Sequence, residues 1–300
     1  MSEQNMPILL AIMAPMLWGS TYAAAALFFK GYPPIWLAVW RALPAGLILL
    51  LLRPSSLRRL PLPWPRMLAL TLSGVTVFFA LLFLAAYRLP GAVAGTLGAT
   101  LPLQMLLLRW LQTGQRPAPV WLGLAVLGLL GVMLLLNPSS HLDLLGVAAA
   151  LAATLLFAQS TLWMERWPVQ DVLPLVGWQL LLGGVLLLPV AWLWAGPMPL
   201  PTLQQAPGLL WLVVGNTVLA NAIWFWGVRR LSGQMMGMLS LSNPVVAVSL
   251  GILLVGEHLN GWQMAGISLI LLSFILMKLV PAGAARQQSK PLDTLTLKSC

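Results

Sequence analysis

The residues of this chain that could do chemistry are few, and they stand at helical spacing inside long apolar runs. Arg41 lies six residues into the run 35–52, about 9 Å below its start at 1.5 Å per residue. A guanidinium at that depth either faces protein or water, or bends back along its stem to the headgroups. Thr96, Thr100 and Gln104 recur every four residues and draw one polar stripe along another run. Thr217, Asn221 and Trp224 share a helix face, as do Gln159 and Trp163, and as do Thr76, Phe79 and Phe83. Such groups offer hydrogen bonds and ring faces. They can join helices to one another or line a cavity for a small solute, because facing lipid would leave them unpaired. No catalytic set accompanies them: His141, His258 and Cys300 are isolated, and no nucleophile stands with a base. One cysteine and two histidines exclude a disulfide framework and a Cys or His metal site, so neither metal nor cofactor is expected.

The elements that hold these residues are set by composition. Of 300 residues, 60% are hydrophobic and 7% charged, against roughly a quarter charged in soluble domains. A chain of this kind turns its surface to lipid. Ten runs are long enough to cross, at roughly 7–29, 35–52, 67–87, 91–111, 118–136, 144–164, 172–194, 207–227, 234–254 and 262–280. The start, MSEQNM, lacks the basic stretch of a cleaved signal peptide, so the first run is expected to be retained. A net charge of +10 suggests nucleic acid until the charges are placed. With both termini cytoplasmic, Arg53, Arg58, Arg59, Arg66, Arg109, Arg116, Arg166, Arg229, Arg230, Lys278, Arg286, Lys290 and Lys298 fall inside. Only Lys30 and Arg88 fall outside, the bias of an inserted membrane protein. The partner of that charge is the bilayer, and no nucleic acid is expected. Asn137-Pro138-Ser139 is excluded as a glycan acceptor by its proline, which fits a bacterial inner membrane.

The chain also repeats itself. A shift of about 142 positions carries Arg88, Gly91, Pro102 and Gln115 onto Arg230, Gly233, Pro244 and Glu257. Shifts of about 140 and 138 lay Leu17–Thr21 over Phe157–Thr161, and Trp40-Arg41 over Trp178-Gln179. Five spans per half make the second half enter from the opposite side, so the expected fold is all-α, ten transmembrane helices as two inverted five-helix repeats. The repeats take residues 1–137 and 138–281, and residues 282–300 form a disordered cytoplasmic tail. Pro102 and Pro244 sit about eleven residues into their spans, near the midplane. Each removes a helical hydrogen bond and frees the carbonyl of Gly98 or Ser240. Such a break can act as a hinge, present a carbonyl to a substrate, or ease packing. Gly123, Gly128 and Gly131 read as a packing face.

The odd-span duplication, the Trp18-Gly19-Ser20 motif, the mid-span prolines and the Gly256-Glu257 turn resemble the EamA-type exporters of the drug/metabolite transporter superfamily. The likeness runs over about residues 7–280. It implies a central cavity lined by helices 1, 3, 4, 6, 8 and 9, which places Trp18, Tyr22, Phe79, Thr100, Gln159, Trp163, Asn221, Trp224, Ser242 and Asn243 near the substrate. Gln115 stands where the first repeat of such proteins usually carries Glu, and Gln179 stands opposite Arg41. The expected activity is secondary export of small metabolites by alternating access, with amphipathic amino acids, aromatic ones included, suited to rings and uncharged amides. A multidrug or proton-coupled antiporter is the first alternative; a channel or structural membrane protein belongs to another class. Glu257 and His258 fall near a span end rather than the midplane, which favours a uniporter or weakly coupled carrier. No Gly-rich loop ending in Lys-Ser/Thr is present, so ATP-driven transport within this chain is excluded. A monomer is expected to suffice.

Overall fold

The computed structural model describes residues 5–88, 97–136, 143–167, 169–250, 253–254 and 260–278. Thr96, His141, Glu257, His258 and the tail from residue 279 lie outside the described residues, as do the side chains of Tyr22 and Phe83. All regular structure among the described residues is helical. Among the described residues, six stretches are long and apolar enough to cross a membrane: Met6–Phe28, Pro34–Leu51, Trp64–Leu82, Leu144–Arg166, Val172–Ala195 and Leu203–Leu231. Shorter apolar helices cover Pro119–Leu134 and Met264–Ser273.

In chain order the helices are α1 (Asn5–Gly19), α2 (Thr21–Phe28), α3 (Pro34–Leu51), α4 (Trp64–Thr71) and α5 (Val77–Arg88). Then follow α6 (Leu101–Thr113), α7 (Pro119–Leu136), α8 (Leu144–Arg166) and α9 (Val172–Ala195). The last are α10 (Ala206–Leu210), α11 (Ala220–Leu231), α12 (Gly233–Leu239), α13 (Ser242–Leu250) and α14 (Gly261–Lys278). Wide π-helical turns join α4 to α5 (Leu72–Thr76) and α10 to α11 (Trp211–Leu219). The ends are set by local chemistry: Asp143 caps α8 by accepting from the N–H groups of Leu145 and Gly146, and Asp171 caps α9 through Leu173 N–H.

Two of the expected continuous spans are broken. The run 7–29 divides at Ser20, and the run 234–254 divides at Ser240–Leu241. Within 91–111, residues 97–98 are helical, a turn follows at 99–100, and the next helix begins at Leu101. The prolines therefore open helices rather than bend them: Pro102 and Pro244 stand in the first turns of α6 and α13, where a missing N–H costs nothing. The carbonyl of Ser240 is not left free, as the mid-span proline suggested. It accepts from Asn243 N–H at 3.0 Å, because the turn tightens to i→i+3 bonding there.

Packing runs in pairs. α3 lies along α9 and α7 along α14; α5 lies on α8, and α11 on α1. α3 also meets the π turn Trp211–Leu219, and α9 meets the π turn Leu72–Thr76. The α3–α9 pair is fastened at both ends. Arg53 and Asp171 form an exposed ion pair at 3.0 Å. At the other end Tyr32 Oη donates to the Pro199 carbonyl at 2.6 Å, and Trp36 Nε1 to that of Gly196 at 3.2 Å. Burial raises the Tyr32 hydroxyl above its ordinary pKa, so it stays a donor at neutral pH. Arg88 bonds Asp143 at 2.9 Å, across α5 and the start of α8. That bond, with the capping amides, holds the Asp143 carboxyl below its ordinary pKa.

Between its ends the α3–α9 pair depends on glycine. A Cβ on Gly46 would fall 2.5 Å from Leu181 N and 2.9 Å from the Gly177 carbonyl, so only hydrogen fits. Gly46→Val is expected to lower stability by about 2 kcal/mol or more, through overpacking against backbone that cannot move aside. Gly123→Ala, with nothing within 4 Å, should leave the unfolding midpoint of detergent-purified protein unchanged or slightly raised.

Candidate functional site

The helix breaks meet one another. At the first, Gly19 lies so close to α13 that a Cβ there would stand 2.5 Å from the Asn243 carbonyl and 2.9 Å from Val246 Cβ. At the others, Gln234 Nε2 of α12 donates to the Pro102 carbonyl at 3.4 Å, and Gly237 faces Met105 and Pro102 of α6. A broken helix in an apolar surrounding must find new partners for its backbone, since each unsatisfied group costs several kcal/mol.

The break at Ser20 finds them in one side chain. Asn216, wholly buried in the second π turn, donates through Nδ2 to the Leu17 carbonyl at 2.5 Å and to Ser20 Oγ at 3.0 Å. Its Oδ1 accepts from Thr21 Oγ1 at 2.5 Å. Ser20 Oγ also donates to Leu17 and accepts from Trp211 Nε1 at 2.9 Å. The amide of Asn216 thus does for α1 and α2 what the missing helical bonds would have done. Next to it, Thr217 Oγ1 donates to the Leu212 carbonyl at 2.6 Å and accepts from Arg41 Nε at 3.3 Å. Gln179, the residue matched to Arg41 by the repeat, reaches the Leu70 carbonyl at 2.9 Å beside the other π turn. Arg41 is therefore turned to protein, which decides between its two sequence readings.

Five rings gather beside these breaks. Trp18 stands 5.0 Å from Trp224 and 5.7 Å from Phe157, and Phe157 stands 5.6 Å from Trp224. Phe78 lies 5.1 Å from Phe157 and 5.3 Å from Phe79, and the Arg41 guanidinium lies 5.8 Å above the Phe79 ring. These are the separations of offset and edge-to-face ring pairs. Trp224 is 0% exposed, and its indole N–H has no hydrogen-bond partner among the described residues.

The residues singled out from sequence divide accordingly. Trp18, Phe79 and Trp224 come together, with Arg41 above Phe79 and Asn243 against Gly19. Thr100 and Ser242 lie at the breaks, their hydroxyls returned to the Leu97 and Leu239 carbonyls. Asn221 Nδ2 returns to Thr217 of its own helix at 2.8 Å. Gln159 accepts from Gln112 Nε2 at 2.7 Å, and Trp163 stacks on Trp167 at 5.3 Å, both outside the ring group. Tyr22's side chain lies outside the described residues. Sequence reasoning missed Phe78, Phe157 and Asn216. A 3.6-residue period put Asn216 off the Thr217–Trp224 face, and the π turn, which widens the helix by a residue, rotates that face. It also missed that Arg109 and Glu165 form a buried pair at 3.1 Å, for which the available sign was Arg109 standing inside the run 91–111. A separate surface cavity of about 280 Å³, lined by Leu106, Arg109, Trp110, Thr113, Gln115, Arg116 and Pro117, holds none of the residues expected near the substrate.

Comparison with known proteins follows the same lines. The EamA-like transporter family model matches the chain twice, over residues 5–137 and 142–279. Protein PecM of Dickeya dadantii (strain 3937) is 35% identical over 94% of this chain and 96% of its own length. The uncharacterized inner membrane transporter YedA of Escherichia coli (strain K12) is 28% identical over 92% of each chain. The threonine/homoserine exporter RhtA of Salmonella typhimurium (strain LT2) is 28% identical over 88% of each. One solved structure, described only as the crystal structure of a protein, superposes with a TM-score of 0.79 at 20% identity, covering 95% of this chain and 99% of that one. It shares the fold.

Because Asn216 serves the Leu17 carbonyl and the Thr21 hydroxyl at once, Asn216→Leu is expected to cost about 1–3 kcal/mol by leaving buried polar groups unpaired. Asn221→Ala, whose amide returns only to its own helix, should cost clearly less. Denaturant unfolding of the two purified variants checks the difference.

Proposed function

The chain belongs to the EamA-like transporter family, and from this membership we propose a secondary transporter that exports small metabolites, amphipathic amino acids above all, by alternating access. The observation that carries the substrate class is the ring group of Trp18, Phe78, Phe79, Phe157 and Trp224 with Arg41 beside it. Rings suit an apolar or aromatic side chain. The Arg41 guanidinium and the Trp224 N–H suit a carboxylate. A substrate of several phosphates would need more cations than Arg41, and a permanent cation would need a carboxylate in place of it. The name of RhtA as a threonine/homoserine exporter points to the same class.

The architecture that serves this function is ten transmembrane helices in two inverted repeats, residues 1–137 and 138–281. Two matches to one family model support it. So does the packing: exchanging the halves carries α5 on α8 into α11 on α1, and α3 on the second π turn into α9 on the first. Placement in a bacterial inner membrane with both termini cytoplasmic is supported by the end that carries Arg53, Arg66 and Arg229, and by the inner-membrane naming of YedA. The described carboxylates, Asp143, Glu165 and Asp171, stand at helix ends, which supports a uniporter or weakly coupled carrier. One chain carries the whole site, and a monomer suffices.

In proteoliposomes the protein should show saturable counterflow of an aromatic or similarly amphipathic amino acid. Trp18→Ala or Phe157→Ala should weaken counterflow several-fold without lowering the amount of folded protein, whereas Trp163→Ala, outside the ring group, should leave it nearly unchanged. A pH gradient should not drive accumulation above equilibrium. Non-saturable flux would instead indicate a channel, and gradient-driven accumulation a proton-coupled antiporter.

A further inference from the structure

The ion pairs among the described residues divide sharply by exposure. The side chains of Arg53 and Asp171 are 57% and 41% exposed, and those of Arg88 and Asp143 are 43% and 36% exposed. Those of Arg109 and Glu165 are 6% and 6% exposed. A buried ion pair is a poor stabiliser, because the desolvation of two charges offsets most of their attraction, yet removing one partner is costly. Such a pair suits a contact that must be firm when made and able to come apart when water enters.

Its position fits that use. Arg109 stands near the end of α6, Glu165 near the end of α8, and the backbone N–H of Gly233, first residue of α12, donates to Glu165 Oε2 at 3.1 Å. One carboxylate thus gathers three helices. Two of them are short segments beside the breaks: α6 begins at Leu101, and α12 ends at the Ser240–Leu241 turn. Each is a lever whose far end is held by Glu165. The residue before Gly233 is Ser232, with φ of 103°, the positive-φ residue other than glycine among those described. That conformation persists only where surrounding contacts enforce it, and the Glu165 bond to Gly233 is one of them. Met105, fully buried, lies against Gly233 and Gly237.

We propose that Arg109, Glu165 and the Gly233 N–H form a latch that keeps the arginine-rich end of the transport path shut, and that parting them opens this end to water. The proposal rests on the alternating-access reading. The test uses the full chain carrying Cys300→Ser and Met105→Cys, reacted with a water-soluble maleimide in detergent micelles. Labelling should be slow in this background and rise at least tenfold when Glu165→Gln is added. It should stay slow with Asp171→Asn, which breaks the exposed Arg53 pair instead. Should Glu165→Gln fail to fold, Glu165→Asp, one methylene shorter, should give an intermediate rise, and a folded Glu165→Asp protein labelled at the background rate overturns the latch. A folded Glu165→Gln protein labelled at the background rate overturns the latch, as does an equal rise with Asp171→Asn. Counterflow in proteoliposomes separates the two readings. Faster labelling in a protein that carries no substrate keeps the latch and removes the transport cycle, whereas saturable counterflow with labelling unmoved removes the latch alone.

Discussion

The arrangement depends on one hydrogen-bonding constraint: a helix interrupted within an apolar surrounding must have its open backbone groups satisfied by something else. Asn216 supplies that at Ser20, bridging the Leu17 carbonyl and the Thr21 hydroxyl with a single amide. Because the amide comes from the π turn before α11, the first helix and the eighth apolar run are tied together at the break. Trp18 and Trp224 are carried into contact by the same tie. The ring group is in this sense a consequence of how the break is mended.

Polar side chains also stand beside the π turns. Each lies beside a long polar side chain from the facing helix: Arg41 of α3 reaches Thr217, and Gln179 of α9 reaches the carbonyl of Leu70. The two halves solve the problem with different residues. A charged group serves one and an amide the other, so one cation rather than two stands at these turns among the described residues. A second asymmetry lies in the helices themselves, for α8 runs unbroken from Leu144 to Arg166 while its counterpart is divided at Ser20.

Much of this could be read from the residues. The apolar runs placed α3, α7, α8 and α9 within a residue or two of their ends, because lipid-crossing length is a property of composition alone. The repeat matched Arg41 to Gln179, and both proved to serve a π turn. What could not be read was register within the turns. Asn216 and Asn221 look alike in sequence, but the π turn points the first at another helix and leaves the second bonded to its own. Nor does an apolar pattern show which prolines start a helix. Pro102 and Pro244 looked like kinks because the runs around them are continuous in hydrophobicity, which a break does not alter. Arg109 looked like one more basic residue at a span end, since its partner Glu165 is far away in sequence and meets it only through packing.

The central claim is that the rings of Trp18, Phe157 and Trp224, with Arg41, hold the substrate. Thermal unfolding of the purified protein against a panel of amino acids, phosphorylated metabolites and quaternary cations tests it most directly, because a ligand that binds the folded state raises the midpoint. The account predicts a rise with an aromatic or other amphipathic amino acid that is lost in Trp18→Ala. A rise given only by a phosphorylated or permanently cationic compound, or one retained in full by Trp18→Ala, would contradict it.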